Sequence, residues 1–254
     1  MSNKSVLVTR PLAQGKALCG AIEQAGGSVV HFPGIEIHPA ENKTVVLSRL
    51  AEIGNCDWVI FISTNAVEYT DYWLEGDLRH HLNTTKVAAV GKATKKALEQ
   101  QGIKVDLSPQ EQFNSESLLA RPELKDVSGK QILIVRGNGG RQLLGDILRD
   151  REAKVFFAEV YQRLRPTTNI QPLIRLWKTE GIDAVTVTSC EILDNIIDML
   201  DSIGVKLLRE TPLVVVSDRI KERARKYGIK QIKVANTVSD MAIINAVSEL
   251  LPMN

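Results

Sequence analysis

The chain aligns with itself at one constant offset, and this constrains its fold more than any single motif does. Arg10 falls opposite Arg136, Asp57 opposite Asp183, Ser63 opposite Ser189 and Gly102 opposite Gly228, each pair 126 positions apart. An offset held over so much of a 254-residue chain marks an internal duplication.

Short apolar runs alternate with helical patterns in both halves. Strands are predicted at 6–10, 28–32, 58–63, 86–91 and 103–107, and again at 132–137, 153–161, 184–189, 213–217 and 232–235. Most are rich in Val and Ile without strict polar alternation, as in strands buried on both faces of a parallel α/β sheet. Two extended stretches exceed the usual strand of about 5–6 residues. They are "GSVVHFPGIEIHP" (27–39) and "AKVFFAEVYQRLRP" (153–166), and each ends at a proline, Pro39 and Pro166, where ladder pairing stops. Such strands can pass from one sheet to another domain, or pair with each other as a double linker.

Composition narrows the function classes. A net charge of +2 is too small for nucleic-acid binding by bulk charge. Cys19, Cys56 and Cys190 are odd in number and form no CxxC, which reads as reduced thiols in a cytoplasmic protein. His31, His38, His80 and His81 show no zinc spacing, and His80-His81 reads as a solvated pair. The start "MSNKSVLVTRP" has no apolar signal region, and no run of about 18 apolar residues predicts a membrane span.

The stretch "ILIVRGNGGRQLLGDILRD" (132–150) has the strand, glycine loop and helix of a phosphate cradle. It lacks GxGxxG and a Gly-Lys-Ser/Thr, and its first-half counterpart carries Thr9-Arg10-Pro11 in place of a glycine cluster. This argues against a nucleotide-using oxidoreductase or other nucleotide enzyme. Two roles stay open: a tight turn, or backbone amides beside Arg136 and Arg141 that suit another anion. The other strand-ending loops are "TRP" (9–11), "STNAV" (63–67), "GKAT" (91–94), "TSCEI" (188–192) and "SDRI" (217–220). Each Ser or Thr in them has a plain role as a helix N-cap worth about 1 kcal/mol. Ligands of open parallel sheets bind beyond the carboxyl ends of the strands, so six such loops facing one cleft would offer many donors to a polyanion. No Ser-His-Asp triad or paired carboxylate is present among them. Glu191 and Asp218 would repel an anion, so Ser63, Ser189, Ser217 and Arg219 are the firmer candidates.

Together, "LVTRP" (7–11), "FISTNAV" (61–67), "AVGKATKKAL" (89–98), "ILIVRGNGGRQLLGDIL" (132–148), "AEVYQR" (158–163), "VTSCEIL" (187–193) and "VVVSDRIKERARKYGI" (214–229) resemble the uroporphyrinogen-III synthase family, of the enterobacterial type. The resemblance runs over nearly the whole chain. It implies two similar parallel-sheet, flavodoxin-like α/β domains from the duplication, joined by a two-stranded β linker. It places one discontinuous domain at 1–35 with 167–254, an inserted domain at 40–158, and linker strands at about 33–39 and 158–166. The residues alone leave two contiguous repeat domains open.

The resemblance further implies a cofactor-free, metal-free lyase of tetrapyrrole (haem) biosynthesis. Its substrate would be hydroxymethylbilane, a linear tetrapyrrole polycarboxylate. The enzyme would close the ring, invert the terminal pyrrole through a spiro intermediate and lose water. Carried onto this chain, Tyr161 is the candidate catalytic residue, since a phenol is protonated at neutral pH and can donate to a departing hydroxyl. A strand tyrosine can also simply pack its ring, and its counterpart across the duplication is Ile35. Candidate substrate-binding residues are Thr9, Arg10, Ser63, Asn65, Ala66, Lys92, Thr94, Arg136, Gly137, Gly139, Gly140, Ser189, Cys190, Ser217 and Arg219. The resemblance also implies a monomer, with transient handover from hydroxymethylbilane synthase. The alternative is a cytosolic bilobal protein that binds a small anion without catalysis.

Overall fold

The computed structural model describes residues 4–110, 112–140 and 142–251. Its strands are β1 (Ser5–Val8), β2 (Ser28–His31), β3 (Glu36–Pro39), β4 (Trp58–Phe61), β5 (Lys86–Ala89), β6 (Gln131–Gly137), β7 (Lys154–Leu164), β8 (Ala184–Val187), β9 (Leu213–Val215) and β10 (Ile232–Val234), with helices between most of them. They form two five-stranded sheets, ordered β10-β9-β8-β1-β2 and β3-β7-β6-β4-β5. The first sheet is parallel throughout, and so is the second from β7 to β5. By contacts the chain divides into two compact units, Met1–Glu36 with Leu164–Asn254, and Ile37–Arg163.

The duplication is visible in the strand registers. Val6 faces Ala184 across β1 and β8, and the residues at the matching offset, Ile132 and Trp58, face each other across β6 and β4. Ser5 faces Ser28 as Gln131 faces Lys154. Val185 faces Leu213 as Val59 faces Val87. The series β7-β6-β4-β5 therefore repeats β2-β1-β8-β9, but each unit draws its strands from both halves of the chain. The repeats cross over.

Burial explains the apolar runs. In β4, Val59 and Phe61 enter one core cluster while Trp58 and Ile60 enter another on the opposite face of the sheet. A strand covered on both faces has no position left for a polar alternation. A repeated clamp closes the amino ends. Asp183 accepts from the Ser5 N–H at 2.8 Å and from Lys4 Nζ at 3.0 Å. Asp57 does the same with the Gln131 N–H and Lys130 Nζ, both at 2.9 Å.

Two expectations are corrected. The run 103–107 is not a strand; only an isolated bridge joins Leu107 to Ala88, at the place where β10 meets β9 in the other unit. The Asp106 carboxylate accepts the Val87 N–H at 3.0 Å, competing with a regular ladder at this charged edge. The stretch 27–39 is also not one long strand. It divides into β2 in one sheet and β3 in the other, with Pro33, which has no N–H to pair, in the break. The second stretch is continuous over the 11 residues of β7, and β3 lies beside it.

Candidate active site

In each sheet the chain leaves one strand for a neighbour on one side and later returns on the other. This topological switch point lies between β4 and β6 in one unit and between β1 and β8 in the other. The strand-ending loops meet at those crevices.

In the 37–163 unit, Ser63 follows β4 and caps the helix Thr64–Trp73, its Oγ accepting the Ala66 N–H at 3.1 Å. The same oxygen lies 3.1 Å from Tyr161 Oη. Tyr161 is buried, and its ring stacks on Tyr69 with centroids 5.8 Å apart. The ladder of β6 with β7 shifts register here, so that Gly137 faces Tyr161. A Cβ on Gly137 would lie 2.5 Å from the Tyr161 ring, so only glycine leaves that ring its place. Asn138 donates its N–H to the Tyr161 carbonyl at 3.0 Å. Tyr69 donates its hydroxyl to Ile37 O at 2.8 Å; burial first, and then the Glu68 carboxylate, push its phenol above the ordinary range and keep it a donor.

Several binding candidates of this unit are buried. Arg136 is 1% exposed. Its guanidinium donates to Gly137 O and Gly140 O, lies 3.6 Å from Glu159, and sits 4.9 Å from the Phe157 ring centroid. Ala66 is fully buried with its N–H held by Ser63, and Thr94 is 3% exposed. Asn65 is also buried, in the first turn of its helix. Gly139, at φ 64°, makes the exposed turn of the glycine loop, with Gly140 beside it. Arg141 lies outside the described residues. Lys92 is exposed at the start of the helix Lys92–Gln100, whose N-cap, Gly91, offers no side chain.

In the other unit, Ser189 caps the helix Cys190–Met199, accepting the Ile192 N–H at 3.0 Å. Thr9 is fully buried and donates to Thr186 O at 2.6 Å. Arg10 pairs with Asp240 at 2.5 Å and donates to Val238 O at 3.0 Å. The Cys190 thiol is 3.9 Å from Arg219 O, and Arg219 itself is exposed. Ser217 stands at the start of the helix Asp218–Lys226 with no side-chain cap bond. Thr9 and Arg136 are thus buried, each donating to backbone carbonyls of its own unit, and Thr94 is buried as well.

Comparison with known proteins decides the family. The model of the family described as Uroporphyrinogen-III synthase HemD matches residues 16–245. The chain belongs to the uroporphyrinogen-III synthase family. The synthase of Escherichia coli K12 is 34% identical over 243 residues, covering 95% of this chain and 99% of that one. The synthase of Salmonella typhimurium LT2 is 35% identical over 248 residues, with the same coverage. A crystal structure of uroporphyrinogen III synthase from the extremely thermophilic bacterium Thermus thermophilus, in mutant form, aligns with TM-score 0.63 at 18% identity and covers 98% of each chain, which shows a shared fold.

Two further residues of this uroporphyrinogen-III synthase family member lie near Tyr161. Tyr69 touches the Tyr161 ring, and Trp73 donates its indole N–H to Val160 O at 2.7 Å. The available signal was the aromatic cluster Tyr69, Tyr72 and Trp73 on one helix, in a chain only 5% aromatic. Among the described residues no group of three or more His, Cys, Asp or Glu could hold a metal ion, and no helix is long and apolar enough to cross a membrane.

Proposed function

We propose that this chain closes hydroxymethylbilane to uroporphyrinogen III as a cofactor-free lyase, inverting the terminal pyrrole through a spiro intermediate and releasing water. Substrate and product differ by one water, so the reaction is redox-neutral and asks for no electron carrier. The free bilane also cyclises unaided to the non-inverted isomer. The protein's contribution is therefore to hold the chain in the inverting geometry, where proximity and orientation dominate.

The observation that supports the chemistry best is the 3.1 Å contact between Ser63 Oγ and Tyr161 Oη. Ser63 already accepts the Ala66 N–H. With its own hydrogen donated to the phenolic oxygen, Ser63 leaves the Tyr161 proton for the substrate. The C–O bond of the hydroxymethyl group breaks, its electron pair leaves on oxygen, and the Tyr161 proton completes a water molecule. Charge left on the phenolic oxygen is met by the Ser63 hydroxyl and the positive end of the helix Thr64–Trp73. The proton shed by the ring carbon as the new macrocycle rearomatises restores the phenol.

Carboxylates of the substrate are held, in this reading, by donors spread over many loops. The side-chain-uncapped helix starts at Gly91-Lys92 and Ser217 leave backbone N–H groups open to anions. Arg219, Ser189, Cys190, Arg10, Asn65 and the amides of Gly139 and Gly140 supplement them. The protein works as a cytoplasmic monomer and receives its unstable substrate by transient handover from hydroxymethylbilane synthase. The test is to feed purified protein freshly generated hydroxymethylbilane, oxidise the product and separate the porphyrin isomers. Type III product is expected. Type I product alone, beside an active control, would overturn the reading.

A further inference from the structure

We infer that Trp73, supported by Tyr69, is a positioning residue that holds the register shift aiming Tyr161. This rests on the proton-donor reading of Tyr161 given above.

Along β6 and β7, Val135 faces Ala158 and Arg136 faces Glu159, so an unbroken ladder would put Gly137 opposite Val160. Gly137 instead faces Tyr161, and Val160 is the extra residue. Such shifts are uncommon between parallel strands and tend to re-aim a side chain beside an active site. In the other unit the ladder of β1 with β2 runs in step from Ser5–Ser28 to Val8–His31, and just past it the Gly34 N–H bonds Thr9 O at 3.0 Å in place of Arg10 O, a like slip. What is particular to the 37–163 unit is that its slip sets a phenol against Gly137, where the other unit carries Ile35.

Something must stabilise an extra residue, because its carbonyl no longer has the ladder partner it would otherwise find. Val160 O accepts the Trp73 indole N–H at 2.7 Å, and a longer bond from the Ala40 N–H at 3.3 Å. Tyr69, one turn earlier on the same helix, packs its ring on Tyr161 and ties its hydroxyl to Ile37 O. The first residue before that helix, Ser63, touches the Tyr161 oxygen. One helix therefore grips Tyr161 at its oxygen, its ring and its backbone. A group held this way needs little reorganisation when the substrate arrives.

The test is a kinetic double-mutant cycle with hydroxymethylbilane, using Trp73→Phe, Tyr161→Phe and the double variant. Trp73→Phe keeps an aromatic ring and removes the N–H. We expect kcat to fall about tenfold with KM nearly unchanged, below the ~10²-fold that a 1 Å misplacement can cost. In the Tyr161→Phe background, Trp73→Phe should cost nothing more, because it acts through the missing hydroxyl. Equal losses in both backgrounds, unchanged kcat, or a change confined to KM would overturn the inference. Tyr69→Phe, which keeps the ring and loses only the bond to Ile37 O, should show a smaller loss with the same non-additivity, and it carries the test if Trp73→Phe does not fold. Wild-type turnover by Tyr161→Phe would remove the proton-donor reading itself, and this inference with it. A slow Tyr161→Phe beside a fast Trp73→Phe would remove the inference alone.

Discussion

Ser63 and Ser189 stand at the same place in the two units, each capping a helix with a hydroxyl that accepts a backbone N–H, at 3.1 and 3.0 Å. Asp57 and Asp183 clamp the amino ends of their sheets with the same pair of partners. The strand ends diverge. Arg136 is buried over its own glycine loop, while its counterpart Arg10 pairs with Asp240. Gly137, which clears space for a ring, matches Pro11, and Tyr161 matches Ile35. The difference separates two kinds of constraint. A helix start and a sheet end carry backbone donors that must be satisfied in any copy. The side chain at position 161 or 35 answers to no such demand, so one unit was free to carry a phenol and the other an isoleucine.

Substitutions at matched positions test this division. Tyr161→Phe should lower kcat by about 10²-fold or more, the range of a lost general acid. Ile35→Val should leave kcat unchanged and cost about 1 kcal/mol of stability. Steady-state kinetics and denaturant melts read both, and a kinetic effect at Ile35 would break the asymmetry. Next come the arginines. Arg136→Ala leaves two loop carbonyls without their buried donor and should cost about 3 kcal/mol, against about 1 kcal/mol for Arg10→Ala. Equal losses in urea melts would mean that Arg136 is not a brace.

A smaller contrast involves the caps. Ser63→Ala and Ser189→Ala should each cost about 1 kcal/mol of stability. Only Ser63→Ala should also slow turnover, by roughly tenfold, since only Ser63 touches the phenol. Equal kinetic effects would put a proton-assisting role in both units. The smallest effect concerns acid. The Gln131 N–H and then Lys130 hold the Asp57 carboxyl below its usual 3.8. A depressed carboxyl contributes stability above its ordinary value and loses it as pH falls through the folded value. Asp57→Asn should therefore be less stable than the parent at neutral pH, with the gap closing below about pH 3.8. A gap that stays constant in thermal melts across that window would assign the loss to shape and not charge.

How far the site was legible follows the same division. The capping roles of Ser63 and Ser189 could be read from residue type before a helix pattern, and the structure has both. The residues of the glycine loop suit either a tight turn or an anion cradle. The structure has the turn, with Gly139 at φ 64°, and adds the close approach of Gly137 to Tyr161. That Arg136 donates to the carbonyls of its own loop was not legible. A long cationic side chain takes the best acceptors within reach, and only the folded backbone says which those are. The contacts of Trp73 and Tyr69 were not legible for a related reason, because their partners Val160 and Ile37 are 87 and 32 positions away.

The sequence by itself determined that this protein is a duplicated parallel α/β chain, and its motif order pointed to the family. Periodicity, capping residues and a constant offset are properties written locally, residue by residue, and survive without knowledge of what packs where. The tertiary structure alone decided that the repeats cross over between the two sheets, that β7 slips by one residue against β6, and which donors stay turned inward. Those outcomes depend on which distant carbonyl or ring lies within a few ångströms once the chain has folded, and no local pattern encodes that distance.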